Sequence, residues 1–163
     1  AGLRNDSPGA VDNATGVLAA LAVADLLPAD ALVGVVLSDG EELGLVGAAA
    51  LARERAALFT DAAVVNFDGI DDAGPLVAFA HRPGPVTDAV ARDVGARRAR
   101  WLPVLVDGVA LARVSRECVT LLKGNVVTMG VVHTPRDTAE RLTLAGVDQV
   151  ARGVARALAA RLA

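Results

Sequence analysis

The run Leu32–Leu37, LVGVVL, stops abruptly at Ser38-Asp39-Gly40, and two adjacent carboxylates, Glu41 and Glu42, follow at once. A continuous aliphatic run of this length reads as a strand buried on both faces, because a half-exposed strand alternates apolar and polar residues. Buried strands of that kind belong to sheets whose neighbours are joined by helical crossovers, and in such sheets ligands bind beyond the carboxyl ends of the strands. The glutamate pair stands at that end. Adjacent side chains diverge, so one glutamate can hold a ligand while the other moves protons; a bland alternative is acids complementing a helix N-terminus.

The same rhythm runs through the chain. After a Gly/Pro/Asn/Asp loop over 1–12, Asn13 is a plausible N-cap and Ala14–Leu27 predicts a helix apolar on nearly every side, hence largely buried. Leu43–Ala57 predicts a second helix, Ala62–Phe67 a strand closed by Asp68-Gly69, and Leu76–Ala80 a third strand. Pro85–Arg100 reads as an amphipathic helix with Arg97, Arg98 and Arg100 in its last turn. Trp101–Val106 reads as a strand, Leu111–Lys123 as a helix capped by Gly124, and Asn125–Val132 as the last strand. A closing helix spans about Thr143–Leu162. Strands alternating with helices predict an α/β domain: a three-layer α/β/α sandwich around a central, mostly parallel (mixed) sheet. All 163 residues fit one domain.

Composition excludes several classes. With 53% hydrophobic and 21% charged residues the chain is not disordered. A net charge of −3, no Tyr and one Trp argue against nucleic acid as a partner. No apolar stretch is long enough for a membrane span and no signal peptide is visible, which argues against a membrane partner. The single cysteine, Cys118, excludes an internal disulfide and reads as a buried structural thiol.

Polar residues punctuate the apolar runs at Asp12, at Glu41 and Glu42, at Asp68 and at His133. In a parallel sheet these gather at one edge. Acids converging there repel unless a cation joins them, and mixed imidazole and carboxylate ligation suits zinc. The free glutamate of the pair is then the natural general base. Other candidates weigh less. His81 reads as a surface-loop histidine, Asp71 and Asp72 as solvated loop acids, and Asp137 as either an orienting partner of His133 or a turn cap.

The segments SPGAVDNATG (7–16), DGEELGLVGA (39–48), NFDGI (66–70) and HTPRDT (133–138) resemble, in order and approximate spacing, the dinuclear zinc aminopeptidases and related exopeptidases of α/β/α fold. The resemblance spans nearly the whole chain. It implies a metal-dependent hydrolase of peptide bonds, an aminopeptidase acting on peptide or small amide substrates. Asp12 would bridge two zinc ions and Glu41 would be the general base. Glu42 and His133 would complete one zinc and Asp68 would serve the other. The family places a further histidine, in an HxD motif, about a dozen residues before the bridging aspartate. Counting back from Asp12 lands before Ala1, with Gly2 at the motif's aspartate, so the expectation is an N-terminally truncated member lacking one ligand of the Asp68 zinc. Two ions, one or none remain open, as does an inactive member serving as a binding or scaffold domain. A third expectation is a one-zinc chain that cyclises N-terminal glutamine. Truncation would bare apolar faces and favour self-association. The compartment stays open, although relatives of this kind are often exported.

Overall fold

The computed structural model describes residues 6–102 and 104–162. Its centre is a sheet of four strands, β1 (Ala63–Ile70), β2 (Leu76–Arg82), β3 (Arg97–Arg98) and β4 (Glu117–Lys123), in the order β1-β4-β2-β3. β1 and β4 run parallel, β2 and β3 run parallel, and β2 lies antiparallel to β4. The sheet is therefore mixed with parallel pairings in the majority, and helices flank it.

Side-chain alternation divides the core between the two faces. On one face Phe67, Val119, Leu121, Leu76 and Ala78 pack against α1 (Gly16–Leu26), α3 (Pro85–Asp93) and α6 (Ala145–Leu162). On the other, Val64 meets a smaller cluster of Leu45, Ala48, Phe59, Ala110 and Leu111 from α2 (Val46–Glu54), α4 (Asp107–Leu111) and the turns beside them. α6 is the clearest amphipathic element. Val147, Val150, Ala151, Val154 and Ala155 recur at helical spacing and are buried, while Asp148 and Arg152 pair at 2.8 Å on the wet face.

Several expected elements differ. Leu32–Leu37 forms no strand: the segment is irregular and none of it pairs with the described strands. Leu111–Lys123 is not one helix. The chain turns after α4 and enters β4, where Cys118, Val119, Thr120 and Leu121 are buried between β1 and β2. Pairing on both sides outweighs a local helical pattern, because strand preference depends on neighbours.

Asn125–Val132 is a short helix, α5 (Val126–Met129), followed by turns rather than a strand. The Asn125 side chain accepts from the Val127 and Thr128 N–H groups and starts it. The helix from Pro85 ends at Asp93, with Gly95 at a φ of +67° turning the chain, so Arg97 and Arg98 lie in β3. That conformation costs glycine nothing and an L side chain a good deal. Pro103 lies outside the described residues, and the described part of Trp101–Val106 is irregular. α1 buries one side through Ala19 and Val23 and exposes Val17, Leu18 and Leu21, so it is half covered rather than engulfed.

Candidate metal centre

Asp12 sits in a wide turn, Ala10–Thr15, that leads into α1 and leaves helical geometry at Asp12 and Asn13. Gly9 opens the turn at a φ of +72°, and a Cβ there would stand 2.9 Å from the Asp12 carbonyl oxygen. Glycine is required on both counts. The turn is pinned to β1. The Asn13 amide donates to the Phe67 carbonyl at 2.9 Å, its oxygen accepts from Gly69 N–H, and the Thr15 hydroxyl oxygen accepts from Ile70 N–H. Asn13 also accepts the Gly16 N–H at 3.1 Å, but the helix starts at Gly16, after Thr15, so Asn13 ties the turn rather than capping a helix from Ala14.

Glu41 and Glu42 occupy a tight turn between Gly40 and α2. Leu45 N–H reaches back to the Glu41 carbonyl at 2.9 Å and Gly47 N–H to the Asp39 carbonyl at 2.9 Å. Local bonds therefore hold the glutamates although the run before them has no strand partner among the described residues. His133 lies in a turn after α5 at a φ of +62°, uncommon for a residue with a side chain and frequent at functional sites.

The fold brings three of these residues together. His133 Nε2 lies 2.7 Å from Asp12 Oδ2 and 2.8 Å from Glu42 Oε1, and one ligand atom from each residue falls within 4.8 Å of the others. One imidazole nitrogen and two carboxylate oxygens converging from three remote segments form a donor set that zinc takes readily. The residues present thus fit the ion. Burial alone would lower the His133 pKa, but the Asp12 hydrogen bond and the Glu42 charge outweigh it and raise it.

Two further acids stand close enough to feel this cluster without joining it. Burial, then the negative charges of Glu42, Asp12 and Asp107, push Glu41 up to about 7. Burial, then Asp12, Glu41, Asp107 and Glu42, push Asp68 up to about 7. In both, burial comes first and neighbouring negative charge adds to it; a cation would relieve the second of these.

Asp107 was not foreseen from the sequence. It opens α4, is buried, and accepts a hydrogen bond from the Ser38 hydroxyl through one oxygen. Its other oxygen has no hydrogen-bond partner among the described residues. The available signal was an apolar run closed by Asp-Gly, as at Asp68-Gly69.

Three lesser expectations are corrected. His81 is on β2, half-buried, with Nε2 2.8 Å from the Thr120 hydroxyl, and burial lowers its pKa. Asp71 is buried, accepts from the Thr128 hydroxyl at 2.7 Å and pairs with Arg141 at 3.1 Å. Burial opposes its ionisation, but these contacts win and lower its pKa. Asp72 accepts from the Thr143 hydroxyl at 2.8 Å and from Gly146 N–H at 2.9 Å, tying down the start of α6. Asp137 neither touches His133 nor caps its turn. Its carboxylate accepts the N–H groups of Val11 at 2.8 Å and Asp12 at 3.1 Å.

An α/β fold that brings a histidine and two carboxylates together beside a further glutamate has the donor set that metal-assisted hydrolysis needs. The model of Peptidase family M28 matches residues 3–158, and the chain belongs to that family of zinc-dependent peptidases. No curated protein matches the chain. Among the described residues no helix is long and apolar enough to cross a membrane.

Proposed function

We propose that this chain is a zinc-dependent exopeptidase of the aminopeptidase type, with Glu41 as its general base. The observation that carries the reading is the meeting of Asp12, Glu42 and His133, with one ligand atom from each within 4.8 Å of the others, while Glu41, next in sequence to Glu42, stays out of the group. Asp12, Glu42 and His133 would hold the ion. When bound, zinc polarises the scissile carbonyl and acidifies water. Glu41 takes a proton from the attacking water onto its carboxylate and passes one to the departing amine. Asp68 would join Asp12 around a second ion, and the concentration of negative charge at the cleft suits the free α-ammonium of a peptide.

The test is hydrolysis of leucine amide and of short peptides by the zinc-loaded chain, with zinc per chain measured on the same sample. Release of the first residue is expected. Glu41→Gln should lower turnover by about 10²–10⁴-fold with zinc content unchanged. A fully loaded wild type that cleaves no amide overturns the reading and leaves a binding domain of the same fold; cyclisation of N-terminal glutamine in place of cleavage would redirect it to that chemistry.

A further inference from the structure

We infer that Asp137 is a positioning residue that makes the two halves of the metal centre into one unit. The inference rests on the proposed roles of Asp12 and His133 as ligands and goes beyond them, because Asp137 supplies no ligand atom of its own. Its side chain is fully buried, at 0% exposure. Each carboxylate oxygen accepts a different backbone N–H, Oδ1 from Val11 at 2.8 Å and Oδ2 from Asp12 at 3.1 Å. Its own carbonyl oxygen accepts the Ala10 N–H at 3.1 Å. Three successive N–H groups of the turn that presents Asp12 are thereby satisfied by one residue.

Asp137 is also built into the turn that presents His133: its N–H donates to the Thr134 carbonyl at 3.1 Å, and Thr134 N–H donates to Val131 at 3.1 Å. The Asp12 turn and the His133 turn come from opposite ends of the chain and are not neighbours in the sheet. What fixes their spacing at the 2.7 Å seen between His133 Nε2 and Asp12 Oδ2 is this doubly accepting carboxylate. Charge-assisted bonds to backbone N–H groups are stronger than neutral ones, and buried away from water they are costly to leave unmade. An aspartate is needed for the purpose. Asparagine would turn an N–H donor toward one of the two backbone donors, and a longer acid would change the spacing.

The experiment compares zinc affinity, by competition with a chelator, and the visible spectrum of the cobalt form in wild type, Asp137→Asn and Asp72→Asn. Asp72 serves as the control, because it accepts backbone N–H groups at the start of α6 and not from the turns that carry Asp12 and His133. Asp137→Asn should weaken zinc binding by about 10–100-fold and alter the cobalt spectrum, the size of effect expected when a partner of a ligand is lost. Asp72→Asn should lower the melting temperature and leave affinity and spectrum as in wild type. Wild-type affinity and spectrum in a folded Asp137→Asn protein overturn the inference, as does an equal loss in Asp72→Asn.

Should Asp137→Asn fail to fold, hydrogen exchange in the wild type decides. Zinc should slow exchange at the Val11 and Asp12 amides together, and no change at either overturns the inference. A wild type that takes up neither zinc nor cobalt overturns the metal reading itself. Wild-type binding with an unaffected, folded Asp137→Asn overturns only the role of Asp137.

Discussion

Leu32–Leu37 and Cys118–Leu122 are short aliphatic runs that end in opposite surroundings. In β4, Cys118, Thr120 and Leu121 are each 0% exposed, whereas Leu32 is 97% and Leu37 59% exposed. β4 has β1 on one side and β2 on the other, so its backbone groups are paired and its side chains meet a layer on each face. The earlier run has no ladder partner among the described residues, and nothing lies within 4 Å of where a Cβ on Gly34 would be. Aliphatic, β-branched composition suits a strand but does not supply the neighbour that makes one. Function follows the same division. The inner run builds the platform behind the centre, while the outer run leads to Glu41 and Glu42, whose turn is held by its own hydrogen bonds.

The difference should be largest in thiol chemistry. Burial pushes Cys118 up to about 12, while a cysteine placed at exposed position 35 would ionise normally. At pH 8 the native Cys118 should react with a thiol reagent at least about a thousandfold more slowly than Val35→Cys, from ionisation alone. Comparable rates in the folded protein would break the contrast.

Core truncation comes next. Leu121→Ala should cost about 2–5 kcal/mol in urea unfolding, through lost burial and the cavity left behind.

The pH dependence reads the acids beside the metal centre. Asp68 and Glu41 have folded pKa values raised to about 7 from 3.8 and 4.5, so between about pH 4 and 7 the folded state binds more protons than the unfolded chain. Stability of the metal-free protein should therefore fall as pH rises through that window. Melting temperatures at pH 4.5 and 7.5 check the sign. Asp68→Asn should flatten the slope, and zinc should flatten it further, because a cation returns both acids to their charged form.

The smallest effect is expected at Leu32. With 97% exposure, Leu32→Ala should change stability by no more than about 0.5 kcal/mol. A cost approaching that of Leu121→Ala would mean that the outer run is covered in solution.

Much of the site was legible because its chemistry is written as local punctuation. Asp12, Glu41, Glu42 and Asp68 each interrupt or follow an apolar stretch, which made them visible as candidates in the sequence. Asp107 carries the same mark in Val106-Asp107-Gly108 and could have been read the same way. The partners of Asp137 could not be read, since Val11 and Asp12 lie 126 and 125 positions away.

By itself the sequence determined the class of fold, the helix α6 through its 3.6-residue pattern, and which side chains are candidates for the metal centre. These depend on periodicity and residue type, which are local. Tertiary structure alone decided that Glu117–Lys123 is the strand between β1 and β2 while Leu32–Leu37 has no ladder partner among the described residues, and that His133 meets Asp12 and Glu42. Strand pairing and ligand convergence depend on which distant segments arrive side by side, and no window along the chain contains that information.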